Sequence, residues 1–175
     1  MYRVLLVDDE QIERMALAKK IDRYYGDKVN IYHAVNGREA VDMCSEHKND
    51  IIIMDISMPE MNGVMAAKYI RQIDDKCSII FLTAYDDFEY ARNAIKIRAL
   101  DYLLKPCDIN DLLAVMDMAI QKLDRECDFK GNTKDNKPER KRENVKNFDE
   151  QTTIKYLREY VENNYTFDIS MQEVA

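Results

Sequence analysis

The chain has 175 residues, 46% hydrophobic and 34% charged, with a formal net charge of −7 at pH 7. That length accommodates one ordinary domain with an appendage, and the acidic balance argues against a surface devoted to nucleic acid. No apolar run approaches a membrane span. Arg3 and four apolar residues before an acid pair are too short for a secretory signal. Cys44, Cys77, Cys107 and Cys127 show no close pairing, and His33 and His47 are isolated. The expectation is reduced thiols in a cytoplasmic protein, without zinc.

Val4-Leu5-Leu6-Val7 is a short unbroken apolar run ending in Asp8-Asp9-Glu10. Apolar runs without alternation predict strands buried on both faces. Ile12, Ala16, Leu17 and Ile21 then recur at helical spacing to about Tyr24, and Gly26 marks the stop. Val29 to Val35 reads as a second strand. Asn36 and Glu39 form a capping pair for a second helix, which turns Ala40, Val41 and Cys44 inward and fades near His47.

Ile51-Ile52-Ile53-Met54 is the third strand; it stops at Asp55, before a loop marked by Pro59 and Asn62-Gly63. A third helix starts at Gly63, with Met65, Ala66, Tyr69, Ile70 and Ile73 expected on its inner side. Ser78 to Thr83 is the fourth strand, and Asp86 and Asp87 start a fourth helix to about Ile97. Leu100 to Leu104 is the fifth strand, closed by Lys105-Pro106. Asp108 caps a fifth helix with a broad apolar face of Leu112, Leu113, Val115, Met116, Ala119, Ile120 and Leu123.

This alternation predicts an α/β fold, a flavodoxin-like, doubly wound, five-stranded parallel sheet in the order 2-1-3-4-5 with right-handed crossovers. That order sets the first and third strands side by side, so Asp8, Asp9 and Asp55 converge at the carboxyl edge, where open α/β sheets hold ligands. Three neighbouring carboxylates repel one another. A divalent cation relieves the conflict, and an all-oxygen set suits Mg²⁺. The plainer alternative is that Asp8 and Asp55 only cap helices or begin turns. Thr83 and Lys105 end the fourth and fifth strands and reach the same edge. A hydroxyl and an ammonium facing acids and a metal make a phosphoryl site, with Asp55 as nucleophile, Lys105 as a point charge and Thr83 as a donor.

Residues 1 to 123 resemble the receiver domain of bacterial two-component response regulators. The resemblance rests on Asp8-Asp9, on Asp55 with Met58-Pro59 and Gly63, and on Thr83 and Lys105-Pro106. It implies Asp55 as phosphoacceptor, Asp9 as a direct Mg²⁺ ligand, Asp8 acting largely through water, and the backbone carbonyl of Ser57 in the metal shell. It implies Thr83 as the switch hydroxyl, Tyr102 as the aromatic that follows it, and Ala84 as the small residue that leaves room for phosphate. Ser57 and Tyr85 occupy the positions that govern water access, and bulky Tyr85 implies a long phosphate lifetime. The family further implies a sensor histidine kinase docking near the first helix and the loop after Lys105. It implies a phosphoacceptor switch rather than an enzyme, with at most slow self-dephosphorylation. A haloacid-dehalogenase-type phosphatase shares the aspartate nucleophile, but wants a second acid two residues on, where Ser57 stands.

Residues 124 to 150, rich in lysine and arginine with few apolar positions, read as a charged linker. In 151 to 175, the spacing of Ile154, Leu157, Tyr160 and Val161 predicts an amphipathic helix, and Ser170-Met171-Gln172-Glu173 spells a capping box. This stretch resembles the opening of an AraC-type DNA-binding domain. It implies a transcription regulator whose longer form binds DNA, while these 175 residues, lacking the recognition helices, do not. A stand-alone receiver working through protein contacts is the alternative. In either reading of these 175 residues, the helix face at Ile154, Leu157 and Val161 is without the core it would pack against, and is expected to fray, or to pack on the receiver or in a homodimer.

Overall fold

Four side chains in a row, Ile51, Ile52, Ile53 and Met54, are each 2% exposed or less, and they form the central strand β3 (Ile51–Met54). Covering such a residue on either side of a sheet is worth roughly 1.5–3 kcal/mol, so the run has no reason to alternate. Around it stand β1 (Tyr2–Val7), β2 (Val29–Ala34), β4 (Ser78–Thr83) and β5 (Asp101–Leu104). All pairings are parallel and the order is β2-β1-β3-β4-β5, as expected. The protein is described by a computed structural model over residues 1–84 and 88–131, with side chains over 1–84 and 90–125. All of them lie within one compact unit, Met1–Lys134.

Helices cover both faces. α1 (Gln11–Tyr25) and α5 (Ile109–Gly131) close one core over Val4, Leu6, Ile51, Ile53, Ile80 and Leu82. The other core, over Leu5, Val7, Ile52, Met54, Ile79 and Phe81, is closed by α2 (Gly37–Glu46), α3 (Gly63–Ile73) and α4 (Phe88–Lys96). Local chemistry places the helix starts. Asn36 Oδ1 accepts the Glu39 amide at 2.8 Å, Glu39 Oε2 accepts the Val35 amide at 2.7 Å, and Asn62 Oδ1 accepts the Met65 amide at 2.9 Å. Among the described residues, no helix is long and apolar enough to cross a membrane.

Two helix faces differ from expectation. On α1, Ile12 is 85% exposed and Ala16 is exposed, while Arg14, Ile21 and Tyr25 are buried and Leu17 is half-buried. The two candidate stripes share Leu17 and Ile21, so spacing alone leaves the phase open at the first turn. On α3, Met65, Tyr69 and Ile73 are all about half exposed, and Val64, Ala66, Ala67 and Ile70 face the core. That helix is apolar on opposite sides, and the sheet takes the side whose alanines permit close approach. α5 continues to Gly131, past the boundary expected at residue 123. Tyr85, the expected helix start at Asp86 and Asp87, most of the linker and all of residues 151–175 lie outside the described residues.

Candidate functional site

Register decides which side chains meet. Val7 pairs with Met54 across β1 and β3, so the next residues, Asp8 and Asp55, leave the sheet together. Their amides extend the ladder, Asp8 to the Ala34 carbonyl at 3.2 Å and Asp55 to the Val7 carbonyl at 2.8 Å. Thr83 pairs with Leu104, and the Lys105 amide then donates to the Thr83 carbonyl at 2.7 Å. The Lys105–Pro106 peptide is cis. Asp8, Asp9, Asp55, Ser57, Ala84 and Lys105 line one cleft of about 650 Å³. Thr83 ends its strand fully buried and is not part of that lining.

One carboxylate oxygen each from Asp8, Asp9 and Asp55 lies within 4.8 Å of the others. Oxygens across a single Mg²⁺ stand about 4.2 Å apart, twice the usual bond length. The cluster therefore has the donor type and nearly the span that this cation takes. The turn-forming role is also realised: Asp8 Oδ1 accepts the Glu10 amide at 2.8 Å, and Asp55 Oδ1 accepts the Ile56 amide at 2.7 Å. Asp8 Oδ2 accepts a hydrogen bond from the lysine. Lys105 Nζ lies 2.7 Å from Asp8 Oδ2 and 4.0 Å from Asp55 Oδ2.

Burial raises the Asp55 pKa, against the lowering pull of Lys105 and the Ile56 amide, and the Asp8 charge adds to the rise. For Lys105, burial opposes the charged amine. Hydrogen bonds to Asp8 and Glu13 and the charges of Asp55 and Asp8 outweigh it, so its pKa sits above the ordinary lysine value.

The loop after Asp55 is held by close backbone approach. A Cβ on Gly63 would stand 2.2 Å from the Asp55 carbonyl oxygen, and one on Gly37 would stand 2.4 Å from the Met61 carbonyl oxygen. Only glycine fits at either point. Tyr102, half-buried, packs with Tyr90 against the core shared by α2, α3 and α4. Tyr85, expected to shield the site, lies outside the described residues.

Two residues of the site were not legible from motif spacing. Glu13 Oε2 holds Lys105 Nζ at 2.6 Å, and buried Arg14 donates to the Asp8 carbonyl. Glu13 is one helical turn after Asp9, at the start of a helix that leaves the sheet edge. An acid at that spacing is the signal that points back to the site.

The family model for the response regulator receiver domain matches residues 4–117. The chain belongs to this family. An uncharacterized response regulatory protein of Staphylococcus epidermidis is 39% identical over 123 residues, which are 70% of this chain and 48% of that protein. The transcriptional regulatory protein HptR of Staphylococcus aureus is 38% identical over 126 residues, with the same coverage of 70% and 48%. The chain thus spans about half the length of the curated relatives it matches. Among solved structures, the receiver domain of the response regulator AraT from Geobacillus stearothermophilus is 37% identical, with a TM-score of 0.64 over 71% of this chain and 97% of that one. A CheY-like receiver from Methanospirillum hungatei shares the fold at a TM-score of 0.67 and 20% identity, over 72% of this chain and 98% of that one. Receiver domains are in general phosphoacceptor switches that work with a histidine kinase and bind Mg²⁺ at an acidic pocket, and in this chain Asp8, Asp9 and Asp55 form an acidic cluster.

Proposed function

We propose that this receiver takes a phosphoryl group onto Asp55 from a sensor histidine kinase, and that the change is read by Thr83 and Tyr102. The observation that carries the reading is the convergence of Asp8, Asp9, Asp55 and Lys105 at adjacent strand ends, three acids within 4.8 Å and one amine beside them. Asp8, Asp9, Asp55 and the backbone carbonyl of Ser57 would hold Mg²⁺. When bound, that ion supplies positive charge to the acids and to the oxygens in transfer.

The chain's own part is positional. The Ile56 amide fixes the rotation of the Asp55 carboxylate at 2.7 Å. An Asp55 oxygen attacks phosphorus, an O–P bond forms, the N–P bond of the phosphohistidine breaks, and its electron pair returns to the imidazole. Lys105 stands ready to neutralise the new dianion. Thr83 then turns toward the phosphoryl group, and Tyr102 follows into the space released, altering the face that carries Tyr90, Arg92 and Lys96. Ser57 and Tyr85 set how fast water removes the phosphate.

The output is transcriptional control in the cytoplasm. Support comes from the name of the HptR relative, from relatives about twice as long as the match, and from the AraC-like opening of residues 151–175. DNA would be bound by an AraC-type output domain and not by the receiver. The test is incubation with acetyl phosphate and Mg²⁺, followed by peptide mass mapping. One phosphate on the Asp55 peptide is expected, and undiminished labelling in Asp55→Asn would overturn the assignment.

A further inference from the structure

We propose that Glu13 is a positioning residue that holds Lys105 away from Asp55 until a phosphoryl group arrives. The proposal rests on Asp55 as phosphoacceptor and adds a regulator of that same site. Lys105 Nζ lies 2.6 Å from Glu13 Oε2 and 2.7 Å from Asp8 Oδ2, yet 4.0 Å from Asp55 Oδ2. Both short contacts fall within hydrogen-bond reach, while the third is beyond it. The amine is therefore turned to the α1 side of the cleft, away from the carboxylate whose phosphate it would neutralise.

The two retaining acids are not equivalent. Asp8 belongs to the cluster that suits a cation, so its charge is shared with the metal site. Glu13 stands outside that cluster, on the first turn of α1, with its side chain 45% exposed. It is free to grip the lysine whatever occupies the acidic pocket. A phosphoryl dianion on Asp55 would compete for the same ammonium, and Lys105 must leave Glu13 to complete that contact. An ion pair with a half-exposed partner adjusts such a competition by a few-fold rather than by orders of magnitude. The plain role for Glu13 is that of an acid in the first turn of a helix, favourable to the helix dipole. That role involves neither Lys105 nor Asp55, and it predicts no change in phosphoryl affinity.

The probe is the trifluoroberyllate anion, which stands in for a phosphoryl group on a carboxylate. It is titrated with saturating Mg²⁺ into the full 175-residue chain and followed through backbone amide NMR signals. Glu13→Ala is expected to bind it roughly two- to fivefold more tightly than wild type. Glu13→Gln, which keeps an acceptor but no charge, should gain part of that. Removing an acid also lowers repulsion toward any anion, so the comparison is repeated in a Lys105→Met background. If Glu13 acts through the lysine, the gain disappears there; an equal gain in that background would overturn the proposal, as would unchanged or weaker binding by Glu13→Ala itself. Asp55→Asn distinguishes the underlying reading. A wild-type response that survives in Asp55→Asn removes the phosphoacceptor assignment and this proposal with it. A response abolished in Asp55→Asn but indifferent to Glu13 removes the proposal alone.

Discussion

Strands β3 and β5 are both four residues long, and they sit in opposite environments. β3 is paired on both edges and covered on both faces, and every one of its side chains is buried. Among the described residues β5 is paired only with β4, its first three residues are half-buried, and Leu104 is 40% exposed. The acid that would receive phosphate follows the first, and the lysine that would answer it follows the second. A nucleophile gains from a fixed position, whereas an element that must shift is drawn from less stable parts of the structure. In the proposed function, the sheet would supply both by using its centre for chemistry and its edge for response.

The largest effect that tests this contrast is on stability. Ile52→Ala in β3 leaves a closed cavity and should cost about 4 kcal/mol, while Leu103→Ala in β5, half-buried, should cost about 1 kcal/mol. Urea unfolding of the two variants measures the difference. Equal losses would mean that the edge strand is as tightly held as the centre.

A sharper version asks whether the two regions can be uncoupled. Thr83 is fully buried at the end of β4, between the two strands. Thr83→Ala should still bind trifluoroberyllate at Asp55, but the hydrogen exchange of β5 and α4 amides should no longer respond to it. An undiminished response in the variant would show that the signal reaches the edge by another route.

The smallest effect concerns the acid itself. Burial raises the folded-state pKa of Asp55, so folding disfavours its ionised form. Its contribution to stability is fully present below the unfolded value, about pH 4, and declines as pH rises through the folded value. Without Mg²⁺, Asp55→Asn should therefore be modestly more stable than wild type at pH 7, and the advantage should fade on acidification. Thermal unfolding in EDTA between pH 4 and 7 checks the sign. A constant difference across that range would mean that desolvation of Asp55 carries no folding cost.

Much of this was legible from residue order, for a definite reason. A strand buried on both faces is an unbroken apolar run, and the polar residue that ends it marks the sheet edge, so Asp8, Asp55, Thr83 and Lys105 could be assigned to one rim before any coordinates. A parallel doubly wound sheet followed from five alternations and the handedness of crossovers, and the order 2-1-3-4-5 from the flavodoxin-like type of such sheets. What needed the tertiary structure was phase and distance. The shared residues Leu17 and Ile21 fit two faces of α1, and only packing against the sheet turned Arg14 inward and Ile12 outward. α3 carries apolar residues on two sides, and only contact with its neighbours selected Val64, Ala67 and Ile70 over Met65, Tyr69 and Ile73. The contact between Glu13 and Lys105 joins residues 92 positions apart. It depends on the angle at which one helix leaves one strand and on the rotamer of a lysine at the end of another, and a one-dimensional pattern encodes neither.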